Sequence, residues 1–439
     1  MHKPVLVISS SRHLVSRWLV LALGGAACLG IAGCSSPSEQ APGEPAASTL
    51  EAQAAITRDA PIAPKKTRFR RHVLATAPDV ARELPYDLRG TDEATKAAEQ
   101  AAIVQENLRA SGWAPQPDSD HTRIIFSDEN NDEWEEEYAL EDLRALRKFA
   151  EARGINKPSL VPNAVVDEKA LPGLQPQGWS GGTDARFIKP LNATWPSNHN
   201  VLMRQGQLNT GCTAALVGRR LVLTAAHCVV NANGEIPQNQ AYAARRDGAT
   251  DPWGVQTSSA AWVDAGYVSN NCHTTYTVAT RETCGKYDWA LLKLKSISWQ
   301  NGTPGWMGYW LPTTSGWWAR IDGYPACGLA SSPAGCVANS VYGQDTPHST
   351  FNWRGAVNGE WTIFNTANDI SPGHSGGPIW SATYPDANGP YVLGVVTNEM
   401  CSTCAPGEGS ANDNTYPTMA RAMTSDLAGL ITDKRAQFP

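Results

Sequence analysis

The sequence predicts an all-β fold over its C-terminal half, with a partly helical segment ahead of it. Three observations carry this. Short β-prone runs (Ala214–Val217, Ala260–Val263, Trp361–Phe364, Tyr391–Val396) recur between Gly, Pro and Asn clusters across 185–415, the spacing of an antiparallel sandwich or barrel. Glycine and proline are abundant, at 38 and 30 residues in a chain of 439, which suits many tight turns. Eight of the ten cysteines lie between Cys212 and Cys404. An even, locally spaced set of that kind reads as disulfides formed in an oxidising compartment.

The elements follow in chain order. Lys3, Arg12 and Arg17 flank and precede an apolar run, Trp18 to Ala32. That layout is a secretory signal over 1–33, too short and badly flanked for a stable transmembrane helix. Ile31-Ala32-Gly33-Cys34 resembles a bacterial lipobox, which implies lipidation of Cys34; plain secretion with cleavage nearby is the alternative. Residues 34–70 are rich in Ser, Pro, Ala and Glu up to Pro64 and read as a flexible tether. Its basic end, Lys65 to Arg71, is read as a solvated linker patch, with anionic headgroups or a processing protease as alternatives. Over 71–177 two helical patterns appear. One spans Asp92 to Arg109 and stops at Gly112. In the other, Trp134, Tyr138, Leu143, Leu146, Phe149 and Ala150 form a packing stripe. Asp132, Glu133, Glu135, Glu136 and Glu137 would favour the start of that second helix through its dipole.

Three short segments carry chemistry: Thr224-Ala225-Ala226-His227-Cys228, Asp288-Trp289-Ala290-Leu291-Leu292 and Gly373-His374-Ser375-Gly376-Gly377-Pro378. A serine hydroxyl needs a base within hydrogen-bond reach. An imidazole titrates near neutrality and suits the task. A buried carboxylate then fixes the imidazole tautomer. Arg220–Ala226 is an apolar strand running into small residues, able to present His227 at its end. Ala290–Leu294 is a second buried strand, with Asp288 at its start and Trp289 shielding it. Gly373, Gly376 and Gly377 leave the backbone free for a tight turn.

In this order and spacing the three segments resemble the trypsin/chymotrypsin-like serine peptidases. The resemblance runs from about Gly178 to the C-terminus. It implies two antiparallel β-barrels with a cleft between them, barrel 1 near 185–305 and barrel 2 near 306–415, then a C-terminal amphipathic helix near 418–436. It implies His227 as general base, Asp288 as its orienter and Ser375 as nucleophile, with the amides of Gly373 and Ser375 as oxyanion hole. It pairs Cys212 with Cys228 beside the histidine. Local spacing then suggests Cys272 with Cys284, Cys327 with Cys336 and Cys401 with Cys404. The peptidase domain is accordingly 178–439, and 71–177 becomes a pro-segment that covers the cleft or assists folding until removed.

The chain departs from the digestive enzymes at His374, where those carry an aspartate that pairs with a new N-terminus. Bacterial glutamyl-endopeptidase-like (V8-like) members also lack that aspartate, and Gly323-Tyr324-Pro325 and Gly178-Trp179-Ser180 recur among them. Asp369, six residues before the serine, and Thr397 and Glu399 in the opposite wall are the expected substrate-pocket residues. The negative charge of Glu399 would repel an acidic side chain and attract a basic one, which favours basic or broad preference over acidic. Thr397 is also a candidate donor to Asp288.

The net charge of -6 is mild and, with no sustained basic run, argues against a nucleic-acid binder. No metal or organic cofactor is expected; no second Cys-x-x-Cys accompanies Cys401 and Cys404 to complete a zinc set. Trp299, Trp306, Trp310, Trp317 and Trp318 read as core and loop packing rather than a sugar platform. The expectation is a monomeric, exported serine endopeptidase acting on protein or peptide substrates, lipid-anchored at the cell envelope or secreted after pro-segment cleavage. A catalytically silent surface binding module and an esterase are the competing classes.

Overall fold

The computed structural model describes residues 66–71, 120–159, 187–188, 204–276, 280–300, 304–312, 319–328, 336–346, 352–357, 360–366, 370–382, 389–398 and 418–439, with the single residues 64, 332 and 385. The signal, Cys34, the helix expected over 92–109, Asp369, Glu399, Cys401, Cys404, Trp317 and Trp318 lie outside the described residues.

Ahead of the expected peptidase domain come strands β1 (Lys66–Arg70), β2 (His121–Ser127) and β3 (Glu133–Ala139), then helix α1 (Leu140–Arg153). A short β4 (Phe187–Ile188) belongs to the second sheet. The first unit continues with β5 (Gln205–Leu208), β6 (Thr213–Leu216), β7 (Leu221–Thr224), β8 (Ala241–Ala244), β9 (Val255–Asp264) and β10 (Ala290–Leu294). Between β9 and β10 lie three short helices, α2 (Ala265–Ser269), α3 (Cys272–Thr275) and α4 (Arg281–Gly285). Strands β9, β10, β7, β6, β5 and β8 follow one another, and β8 pairs back onto β9, so six strands close into a barrel. Strands β5, β6 and β7 are buried throughout, as barrel strands covered on both faces must be.

The second sheet runs β14 (Asn352–Val357), β15 (Glu360–Thr366), β18 (Thr418–Ala422), β17 (Tyr391–Asn398), β16 (Pro378–Ser381), β12 (Ala319–Gly323), β13 (Tyr342–Thr346), β4. Its pairings are antiparallel except for β11 (Gly308–Tyr309), which lies parallel to β17. Helix α5 (Ser425–Gln437) ends the chain. Ile321, Ile379, Leu393 and Val396 centre the second core. Disulfides join Cys212 to Cys228, Cys272 to Cys284 and Cys327 to Cys336. Trp299 is buried in the first core, edge-on to Tyr242.

Three expectations are corrected. The acidic run Glu133–Ala139 is strand β3, not the start of a helix. Its charges meet cations across the sheet: Arg68 donates to Glu136 at 2.5 Å and Arg71 to Glu133 at 2.7 Å. Opposite charges facing across strands favour the sheet, and α1 begins only at Leu140 with Glu141 and Asp142 in its first turn. The basic end of the tether is therefore strand β1, in register with β3 from Lys66 opposite Tyr138 to Arg70 opposite Trp134. At the other end, Thr418–Ala422 is a central strand between β15 and β17, and the helix starts at Ser425. That helix is not amphipathic. Every residue from Leu427 to Arg435 is buried, because the barrel covers one side and α1 packs on it from another.

Candidate active site

His227 sits on a single 3₁₀ turn, Ala226–Cys228, at the exit of β7. Apolar β7 is held between β6 and β10, so the position of the turn is fixed by the barrel. Asp288 lies just before β10, completely buried, with Trp289 buried beside it. Its carboxylate accepts twice from one residue. The His227 backbone amide reaches Oδ1 at 3.0 Å, and ring Nδ1 reaches Oδ2 at 2.8 Å. A carboxylate only accepts, so Nδ1 carries the proton and Nε2 keeps the lone pair. The His227 side chain remains 27% exposed, open enough to meet a substrate. Burial alone would lower its pKa, but the Asp288 charge and hydrogen bond outweigh that and raise it above the usual imidazole value.

The loop bearing Asp288 is anchored from two directions. Disulfide Cys272–Cys284 ties α3 to α4. From the second sheet, fully buried Arg421 on β18 donates through Nε to the Lys286 carbonyl at 2.5 Å. Tyr287 fills the space above Gly266, where a Cβ would come within 2.5 Å of its ring.

Ser375 belongs to the turn leading into β16. Gly373 and Gly376 there have φ of +99° and +79°, a region closed to ordinary side chains. Space forbids side chains as well: a Cβ on Gly373 would lie 2.2 Å from the Tyr324 carbonyl, and one on Gly376 2.1 Å from Thr224 Oγ1. The turn thus presses on the end of β7, two residues before the His227 turn begins. Gly376 donates to Val396 and Val396 to Gly377, locking the turn to β17. Among the described residues, the amides of Gly373 and Ser375 have no hydrogen-bond acceptor.

Thr213 is a residue that sequence reasoning missed. Its amide donates to the Ser375 carbonyl at 2.8 Å, its hydroxyl donates to the Gly373 carbonyl at 2.7 Å, and its hydroxyl oxygen accepts from the Tyr324 amide at 2.9 Å. The one signal was its place next to Cys212. Disulfide Cys212–Cys228 joins the residue before Thr213 to the residue after His227. One covalent link therefore holds together the strand that pins the serine turn and the turn that carries the histidine. Cys212, His227 and Cys228 are also close enough to form a metal-ligand set, but the two sulfurs are bonded to each other.

Two further expected residues have different surroundings. The Thr397 hydroxyl donates to the Met419 carbonyl at 3.2 Å. A hydroxyl has one proton, so Thr397 serves the β17–β18 pair rather than Asp288. His374 is buried, with Nδ1 among the amide, carbonyl and hydroxyl of Ser371. Its ring lies against Gly323, where a Cβ would meet His374 Cδ2 at 2.8 Å.

A family model described as Trypsin matches residues 191–419. The chain belongs to the trypsin family of serine peptidases. Solved structures similar to it include a Glu endopeptidase in complex with MPD, 19% identical, covering 58% of this chain and 99% of that one with a TM-score of 0.41. Protease Anisep from Arthrobacter nicotinovorans is 16% identical over 51% of this chain and 90% of its own, with a TM-score of 0.33. A thermostable serine protease, AL20, from an extremophilic microorganism is 15% identical over 55% and 100%, with a TM-score of 0.38. No curated protein matches. The closed first barrel and the second sheet are the trypsin-family fold, and proteins or peptides are its substrates. Three disulfides among the described residues fit a protein working outside the cytosol.

Proposed function

We propose that the protein is an exported serine endopeptidase acting through an acyl-enzyme, with Ser375, His227 and Asp288 as its triad. The observation that carries this is the doubly bonded His227–Asp288 pair, buried on the carboxylate side and open on the imidazole side. The family's general chemistry then assigns the steps. Ser375 Oγ attacks the scissile carbonyl carbon and its proton passes to His227 Nε2. The oxyanion is held by the amides of Gly373 and Ser375, whose uncommitted state among the described residues suits that role. Loss of one such donor costs about 3–4 kcal/mol of transition-state stabilisation. The imidazolium returns its proton to the leaving amine, the acyl bond to Oγ remains, and water activated by His227 cleaves it. Asp288 stabilises the imidazolium in each half-reaction.

Basic or broad side-chain preference is the reading we carry for the pocket of Asp369, Thr397 and Glu399. Export by the 1–33 signal, with Cys34 as lipid attachment point, completes it. His374 in place of an acid argues against activation by a new N-terminal ammonium, since a buried imidazole bonded to Ser371 offers that group no fixed anion.

A fluorophosphonate probe tests the reading on the full chain and on any shorter form that it matures to. Covalent modification at Ser375, abolished in Ser375→Ala and His227→Ala, is expected. No modification of any folded form would leave a silent binding module, and labelling with turnover of esters but not of peptides would leave an esterase.

A further inference from the structure

The segment expected to be a removable pro-segment is built into the peptidase body. Strand β2 pairs with β9 from Ile124 opposite Asp264 to Ser127 opposite Ala261. The opposite edge of the same stretch of β9 pairs with β10, the strand that follows Asp288. Side chains reinforce the seam. Glu133 accepts from the Ile236 amide at 2.8 Å, and Ser127 donates to the Ile236 carbonyl at 3.2 Å.

Helix α1 closes over α5 with no gap. A Cβ at Gly429 would lie 2.2 Å from the Leu143 carbonyl. Tyr138, Leu143 and Leu146 share one core with Leu427, Leu430 and Ile431. Two buried cations make the dependence mutual. Lys434, 1% exposed, donates to Tyr138 Oη at 3.0 Å and lies 4.0 Å from Glu136, which itself accepts from Tyr138 at 2.5 Å. Arg435 donates to the Val217 and Met307 carbonyls of the peptidase body and, at 2.7 Å, to the Ile155 carbonyl beyond α1. Ser159 and Trp306 exchange two more bonds, at 3.1 and 2.8 Å. Removing 121–159 would strip a barrel strand of its partner and take from the Lys434 ammonium the Tyr138 phenol and the more distant Glu136 carboxylate, with Asp433 of its own helix, at 3.0 Å, left to pair with it; breaking up such a buried set is costly.

We infer that residues 121–159 are a permanent member of the peptidase body. A cut between residues 159 and 187 yields two chains that stay together, and whatever holds the N-terminal piece at the cell envelope goes on holding the catalytic one. The inference concerns association and stands apart from the triad assignment.

The test places the recognition sequence of a site-specific protease between residues 165 and 166 of the full chain. After cutting, native size-exclusion chromatography should return both pieces in one peak, with fluorophosphonate labelling within about twofold of the uncut protein. In a urea gradient the pieces should part only at the global unfolding midpoint. Release of the N-terminal piece below that midpoint, with a folded catalytic piece left behind, overturns the inference. Co-elution without labelling would count against the proposed reaction but not against the association. Hydrogen exchange on the uncut chain gives a second measure that no insertion perturbs. Amides of Ile124–Ser127 should be as protected as those of Ala260–Val263, and exchange a hundredfold faster would also overturn it.

Discussion

At the residue scale, the carboxylate beside His227 does more than orient. By accepting from both the backbone and ring of one residue, Asp288 fixes the imidazole against rotation as well as tautomer exchange. The same contact raises the imidazole pKa against its burial. A general base must be neutral, so the acidic limb of kcat/KM should have its midpoint above the ordinary imidazole value of about 6.5, with activity lost as pH falls through it. In Asp288→Asn the raising interaction is gone and burial remains. The limb should then move to lower pH while kcat falls by about 10⁴-fold. A pH–rate profile of the two proteins checks both statements, and an unmoved limb would mean that another group sets it. Thr213 has no part in bond making, but its amide and hydroxyl hold two carbonyls of the serine turn.

At the element scale, several expectations rested on composition where pairing decided. Glu133–Ala139 carries good helix formers, yet it lies between two strands that offer Lys66, Arg68, Arg71 and Arg123 to its glutamates. Burial would push the Glu136 carboxyl up; Lys434, Tyr138, Arg68 and Lys66 outweigh it and hold it below the usual range. Cross-strand charge is invisible to a reading that takes one window at a time. By contrast β7, β10 and β17 were legible, because continuous apolar runs between turn residues say buried strand without any partner being known. Helix α5 tests how tightly the elements fit. Gly429→Ala places a methyl on the Leu143 carbonyl, so it should destabilise by about 1–3 kcal/mol despite alanine's better helix propensity. Urea unfolding checks the sign; a gain in stability would mean that α1 can yield.

At the scale of the whole molecule, the C-terminal turn of α5 is where the parts meet. Arg435 is buried and its guanidinium joins carbonyls at residues 155, 217 and 307, contributed by the N-terminal segment, the first barrel and the chain between barrels. Arg435→Met keeps most of the volume but orphans those carbonyls, at about 1–3 kcal/mol each. The variant should lose at least about 3 kcal/mol in chemical denaturation. Its loss should appear as one cooperative transition, since the three regions share the bond set. Two transitions would show that the segment and the barrels fold independently.

The order histidine, aspartate, serine and the turn glycines around Ser375 were determined by the sequence itself; the family resemblance implied Cys212–Cys228, and spacing suggested Cys272–Cys284 and Cys327–Cys336 without fixing them. Each depends on residue type and nearby neighbours: a titrating ring, an acid before an apolar strand, backbone positions that tolerate no side chain, thiols a short loop apart. What only the tertiary structure decided are the relations between distant parts. They include the Thr213 clasp on the serine turn, the Thr397 hydroxyl directed to Met419, and the incorporation of 121–159 into the barrel sheet. The physical reason is that hydrogen bonds and ion pairs between segments far apart in the chain exist only once folding has chosen the register. A buried glutamate and a buried lysine, 298 positions apart in Glu136 and Lys434, have no pattern in the chain that announces their meeting.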